Sequence, residues 1–234
     1  MKKIIVSIVG LLLSFSMCIG FTIPAFAYVD TDKQIDSALI IKDATDLAIL
    51  EAELEMFLKE HPDSTEAEQD EHLLDFIRQG GLENNRNEIK GVGDYLPGYG
   101  NLNEEERKLA LAHPVQAVKV YQAGTTATNK TIEVYGHNGW QDNSDAFRHC
   151  LWNALMKKSI GASAAETWAT AHEYDSSGLD KEMDLHNNRI GRSIDVSGKT
   201  ETQIVNSVKA KVRGGYCRRI VGGQLVATNG DGMN

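Results

Sequence analysis

From Asp43 onward the apolar positions recur at helical spacing. Leu47, Leu50, Leu54, Phe57 and Leu58 share one face, and Glu51, Glu53 and Glu55 lie off it. His61-Pro62 predicts the end of this helix, because the residue before proline avoids the α region. Thr65 and Glu68 have the spacing of a capping box. They predict a second helix that runs through Leu73, Leu74 and Ile77 and stops at Gly80-Gly81. The two helices read as an antiparallel pair. Residues 81–102 are rich in Gly and Asn and contain Pro97, which is linker composition. Asn103 and the three glutamates after it predict a cap and an acidic first turn, for a helix reaching His113. Pro114 suits the first position of the next helix, which carries Val115, Val118 and Tyr121. Gly124 and the threonines behind it are expected to break or bend that helix. The run TIEVY fits a strand or a last helical turn.

His137-Asn138-Gly139 is turn chemistry. Asn143 or Ser144 is then expected to cap a helix that continues to about Ser159. Ser163 and Glu166 have capping-box spacing, ahead of a helix with Ala165, Trp168 and His172 on one face. After the loop YDSSGLDK, a helix is predicted from about Glu182 to Ile194. Thr200 and Gln203 open another, which Gly214-Gly215 closes. The segment RRIVGGQLVATN alternates around Gly222-Gly223, a hairpin signal, and the last five residues are expected to be disordered. The fold class is therefore mainly α: a compact multi-helix domain with an N-terminal helical pair and a small C-terminal β-hairpin. The expected division is residues 1–27 as a signal peptide, 28–95 as a helical extension, 96–215 as the helical core and 216–234 as hairpin or tail.

The start of the chain changes the setting. Lys2 and Lys3 precede the apolar run IIVSIVGLLL, and Ala25-Phe26-Ala27 supplies an A-x-A site. This pattern predicts a secretory signal peptide cleaved after Ala27, with release outside the cell and no membrane span. An extracellular or cell-wall substrate is the partner such a location implies. Phe15-Ser16-Met17 before Cys18 is a poor lipobox, which argues against a lipid anchor. The leader carries two of the 24 basic side chains and none of the 33 acidic ones. The released chain is thus strongly acidic, which argues against nucleic acid as a partner. Cys150 and Cys217 remain, and export permits a disulfide between them; two buried free thiols fit the spacing equally. Cys150 as a nucleophile served by His149 is disfavoured, since adjacent helical residues point about 100° apart.

The candidate chemistry lies between residues 142 and 192. Asp145, His149 and Asn153 follow i, i+4, i+8 spacing on an otherwise apolar helix, and Asp184, Asn188 and Arg192 repeat it on another. Such stripes must face water or be buried with partners, so the two are expected to face each other. A carboxylate one turn from an imidazole fixes its tautomer and raises its basicity, as around hydrolytic bases and metal ligands. His149 is the expected base or ligand, oriented by Asp145, with His172, Glu173 and Asp184 as partners. Arg148, Asn153, Asn187, Asn188 and Arg192 could hold an anion. The cofactor expectation is one divalent metal ion or none, with His149, His172 and Asp184 as candidate ligands. Each feature also has a purely structural reading. Asp145 suits a helix start, Glu173 a solvated helix end, and Asp184 with Arg192 an ion pair between helices. His172-Glu173 is not a zincin motif, because Ser176 stands where the second histidine would be.

Together, DAFRHCLWNALM, AHE and MDLHNN-x-x-GR resemble a bacterial domain family of unknown function, over about residues 100–213. Its members include secreted and wall-associated proteins and the ends of large toxin-like proteins. The resemblance implies a compact helical domain with an internal polar site, and it implies no reaction. A fainter likeness to the histidine-bearing helix of secreted phospholipases A2 fails where Cys150 replaces the expected aspartate and no glycine-rich calcium loop is found. Two functions follow: a secreted hydrolase built on the His/carboxylate or metal site, or a non-catalytic secreted module with a buried polar network. An enzyme needs an open cleft, whereas a structural network is sealed and fully paired.

Overall fold

The computed structural model describes residues 41–86 and 101–234; the expected signal peptide and most of the expected linker lie outside the described residues. The order is α1 (Ala44–Glu60), α2 (Glu66–Arg78), α3 (Gly81–Asn85), α4 (Glu104–Ala112), α5 (Pro114–Tyr135), α6 (Asn143–Ile160), α7 (Ala162–His172), α8 (Gly178–Ser193), α9 (Glu201–Arg213), β1 (Arg218–Val221) and β2 (Gln224–Ala227). The fold is mainly helical with one antiparallel hairpin. Gly222 and Gly223 both have positive φ, as a two-residue hairpin turn requires, and Val221 pairs with Gln224 across it. No helix among the described residues is long and apolar enough to cross a membrane.

Local chemistry sets most helix starts. Capping boxes form at Thr65/Glu68, Asn103/Glu106 and Thr200/Gln203. The start of α5 is capped from elsewhere. His113 supplies no side-chain cap, and the Val115 amide donates instead to Asp70 Oδ1 of α2 at 2.8 Å. The N-terminal pair is thus tied to α5. Leu47, Leu50 and Leu54 of α1 are buried, and the Leu102 amide donates to the Lys42 carbonyl at 3.0 Å.

Several expectations are corrected. α5 continues for 22 residues through Gly124, so TIEVY is helical, and Gly136 in the left-handed region ends it. Asp142, not Asn143 or Ser144, caps α6, accepting from the Ser144 and Asp145 amides. No box forms at Ser163, because the helix already starts at Ala162 after Gly161 (φ 84°). α8 begins at Gly178, a turn earlier than expected. The last residues are fixed rather than loose. Asn143 Nδ2 donates to Asn229 Oδ1 at 2.6 Å and to the Asp231 carbonyl at 3.1 Å, and the Asn234 amide reaches the Val134 carbonyl at 2.8 Å.

The core is arranged around α6. Phe147, Leu151, Ala154 and Met156 have no solvent exposure, and α5, α7, α8 and α9 all pack on this helix. Burying each large side chain contributes about 1.5–3 kcal/mol. With apolar groups on all sides, α6 is a central helix, so its polar stripe must be paired inside the protein.

Candidate functional site

At Gly191 the backbone of α8 packs directly on α6. A Cβ there would overlap the Cys150 carbonyl oxygen and stand 2.9 Å from Asn153 Cβ, so only glycine fits. This approach brings the two stripes together. Asn153 Nδ2 donates to Asn188 Oδ1 at 2.7 Å, and Arg192 Nη1 donates to Asn153 Oδ1 at 2.7 Å. One turn further along, His149 Nε2 lies 3.5 Å from Asp145 Oδ1 and 3.5 Å from Asp184 Oδ1. On the other side of the ring, His149 Nδ1 faces Glu173 Oε1 at 3.9 Å. Asp145, His149, Glu173 and Asp184 are all buried.

These separations exceed an N–H···O hydrogen bond, which spans about 2.7–3.2 Å. They match something else. Two ligands each about 2.0–2.2 Å from one tetrahedral ion sit roughly 3.3 Å apart. Asp145, His149 and Asp184 each offer one donor atom, and these atoms all lie within 4.8 Å of one another. Asp184 Oδ1 is buried and has no hydrogen-bond partner among the described residues. Asp145 is held more firmly. Its Oδ2 accepts from the Gln141 amide at 2.6 Å, and its Oδ1 pairs with Arg148.

The electrostatics point the same way. Of Asp145, Glu173 and Asp184, Asp145 is the one paired with an arginine, Arg148; His172 is paired with Glu106 (2.7 Å), and its charge also favours ionised Glu173. Fully ionised, this group would carry an excess of two buried negative charges, which is costly. Burial, then the neighbouring Glu173 and Asp145 charges, push the Asp184 carboxyl up to about 9. Burial raises Asp145 and Glu173 against their partners. Burial, helped by the Arg148 charge, holds the His149 imidazole well below the usual histidine range, so it stays neutral, the form that binds metal. His172 behaves oppositely. Burial opposes its charge, but the Glu106 hydrogen bond and charge prevail and raise it. A cavity of about 10 Å³ lined by Arg148, His149, Trp152 and His172 adjoins the site, about the volume one water needs.

Not every sequence candidate reaches the centre. The His172 ring is tilted 45° to that of His149, with centroids 6.4 Å apart, and its Nδ1 belongs to Glu106. As a candidate ligand it stands outside the Asp145–His149–Asp184 set. Asn187 holds the hairpin: its Nδ2 donates to the Arg218 carbonyl and its Oδ1 accepts from the Arg218 amide. Arg192 lies at the far end of the stripe, paired with Glu166 at 3.1 Å. Asn188 accepts from Asn153, and its Nδ2 lies 3.5 Å from Glu173 Oε1. Cys150 and Cys217 are free thiols. Sequence reasoning missed Glu106 and Gln141. Glu106 was hidden in an acidic first turn. Gln141 is, among the described residues, the one non-glycine with positive φ (60°). Its amide holds Asp145, its carbonyl accepts from the Ile220 amide at 2.9 Å, and its side chain donates to Asp180 Oδ1 at 3.0 Å. Strain of this kind concentrates at functional positions, but the dipeptide Trp140-Gln141 gave no sign of it.

Comparison with known proteins adds one relationship. No curated protein and no solved structure matches the chain. Over residues 107–216, which hold α5 to α9 and every residue of the Asp145–His149–Asp184 cluster, the chain matches the family described as a domain of unknown function, DUF6973.

Proposed function

We propose that the chain is a secreted, metal-dependent hydrolase whose single divalent ion is held by Asp145 Oδ1, His149 Nε2 and Asp184 Oδ1. The carrying observation is the set of 3.5 Å separations around His149 Nε2, too long for hydrogen bonds and right for ligands of one ion. Three protein ligands leave a coordination position for water, the arrangement of catalytic rather than structural zinc sites. In that position the ion would make a nucleophile available near neutral pH. Gln141 and Arg148 orient Asp145, and Glu173 faces the back of the His149 ring, where carboxylates orient metal-binding histidines. A bacterial, extracellular setting is part of the proposal. It is supported by the signal-peptide pattern and by the likeness of the motifs to secreted, wall-associated and toxin-like proteins, and an extracellular or cell-wall substrate follows from it.

A second reading is favoured by the enclosure of the site. The adjoining cavity has room for about one water, and Asp184 is 7 % exposed. On this reading the ion locks α6 to α8 in a non-catalytic secreted module. Cobalt substitution separates the two. In the Co²⁺-loaded chain an open coordination position will make the visible spectrum shift on addition of acetohydroxamate. A spectrum indifferent to hydroxamate leaves the structural reading, and no cobalt uptake at all removes both.

A further inference from the structure

Cys150 follows His149 on α6, and Cys217 directly precedes β1. Neither has any solvent exposure; α6, which bears Cys150, packs against β1, and the Cys217 thiol is the neighbour that acts most strongly on the Cys150 thiol. The backbone is fixed at both ends. The Cys150 carbonyl lies against Gly191 of α8. The Cys217 carbonyl accepts from the Thr228 amide at 3.1 Å and from Thr228 Oγ1 at 3.3 Å. The next amide, of Arg218, donates to Asn187 Oδ1 at 2.8 Å. Of the three cysteines in the chain, the other, Cys18, falls in the expected leader, so the released chain offers no rival pairing.

We propose that Cys150 and Cys217 form a disulfide in the exported protein, tying the hairpin to the helix that carries Asp145 and His149. The loop so closed contains Glu173 and Asp184, so the bond joins the second half of the candidate site to the first. Oxidation removes two protons and two electrons from the pair, and a second disulfide such as oxidised glutathione accepts them. One cysteine thiolate displaces glutathione thiolate and forms a mixed disulfide. The other attacks the protein sulfur of that bond and releases the second glutathione, leaving one S–S bond and two glutathione thiols. Burial shields the pair in the folded state, so the exchange takes place while the chain folds.

The test uses the full chain carrying Cys18→Ser, refolded either in a glutathione redox buffer or in dithiothreitol. Each sample is denatured in iodoacetamide and digested without reductant. After oxidising refolding the Cys150 and Cys217 peptides are expected as one linked species, lighter by two hydrogens and free of alkylation. The oxidised protein should also melt on the order of 10 °C above the reduced one. That difference should vanish in Cys217→Ala, which keeps the hairpin and loses the bond. Alkylation of both cysteines after oxidising refolding overturns the proposal. Because the oxidant is supplied in the buffer, the outcome does not depend on export or on an ion at the candidate site.

Discussion

Asp184→Asn should stabilise the metal-free protein at alkaline pH while abolishing its response to metal. The Asp184 carboxyl is pushed up to about 9 in the folded chain, whereas an unfolded aspartate titrates near 3.9. Between those values the unfolded chain has released a proton that the folded chain keeps, so rising pH favours unfolding. His149 works the other way. Its folded pKa is depressed, so below about 6.5 the unfolded chain binds a proton that the buried ring refuses, and stability falls as pH falls. The two slopes offset each other in the acid range. Above about pH 6.5 His149 no longer offsets it, the raised His172 adds a decline of its own, and the Asp184 part alone falls by about 1.4 kcal/mol per pH unit. From pH 6.5 to 9 this amounts to roughly 3 kcal/mol, or on the order of 10 °C in Tm for a chain of this size. An asparagine cannot ionise, so in the EDTA-treated variant this part of the decline disappears. Zinc at a hundred times its Kd should stabilise the wild type by about 2.7 kcal/mol, and the variant not at all. Thermal melts of both proteins across this pH range, with and without Zn²⁺, supply the four curves. A variant that declines as steeply as the wild type, or that keeps the zinc shift, refutes the reasoning.

Other substitutions test other parts of the account. Gly191→Ala should force α6 and α8 apart, cost roughly 1–3 kcal/mol in denaturant unfolding and weaken zinc binding, since the seam it opens carries the ligands. Gln141→Gly keeps the amide that holds Asp145 and relieves the left-handed backbone, so zinc affinity measured by calorimetry should change little. Gln141→Val, β-branched in the same conformation, should lower it by about 10- to 100-fold. His172→Gln should leave zinc stoichiometry intact in elemental analysis, because His172 serves Glu106; loss of the ion would make it a ligand after all.

What the sequence revealed follows from the range of the interactions involved. Capping boxes join residues three apart, so Thr65/Glu68 and Thr200/Gln203 could be read from local spacing alone. Ser163/Glu166 had the same spacing and failed because Gly161 ends α6 and starts α7 at once, and Glu166 turns outward to Arg192. The stripes were legible because a polar period on an apolar helix has few physical outcomes. Their centre was not, because it depends on distant partners. Glu106 takes His172 from 66 positions away, and Gln141 fixes Asp145 through its backbone, which has no sequence signature. The disorder expected of the last five residues ignored that Asn143, at the start of α6, could capture Asn229 and Asp231.

The central claim is that one ion sits among Asp145, His149 and Asp184. Anomalous diffraction at the zinc edge from crystals of the Zn²⁺-loaded chain tests it directly. The account predicts one anomalous peak, about 2.0–2.2 Å from Asp145 Oδ1, His149 Nε2 and Asp184 Oδ1. A peak elsewhere, or none with Asp184 hydrogen-bonded to His149, would contradict it.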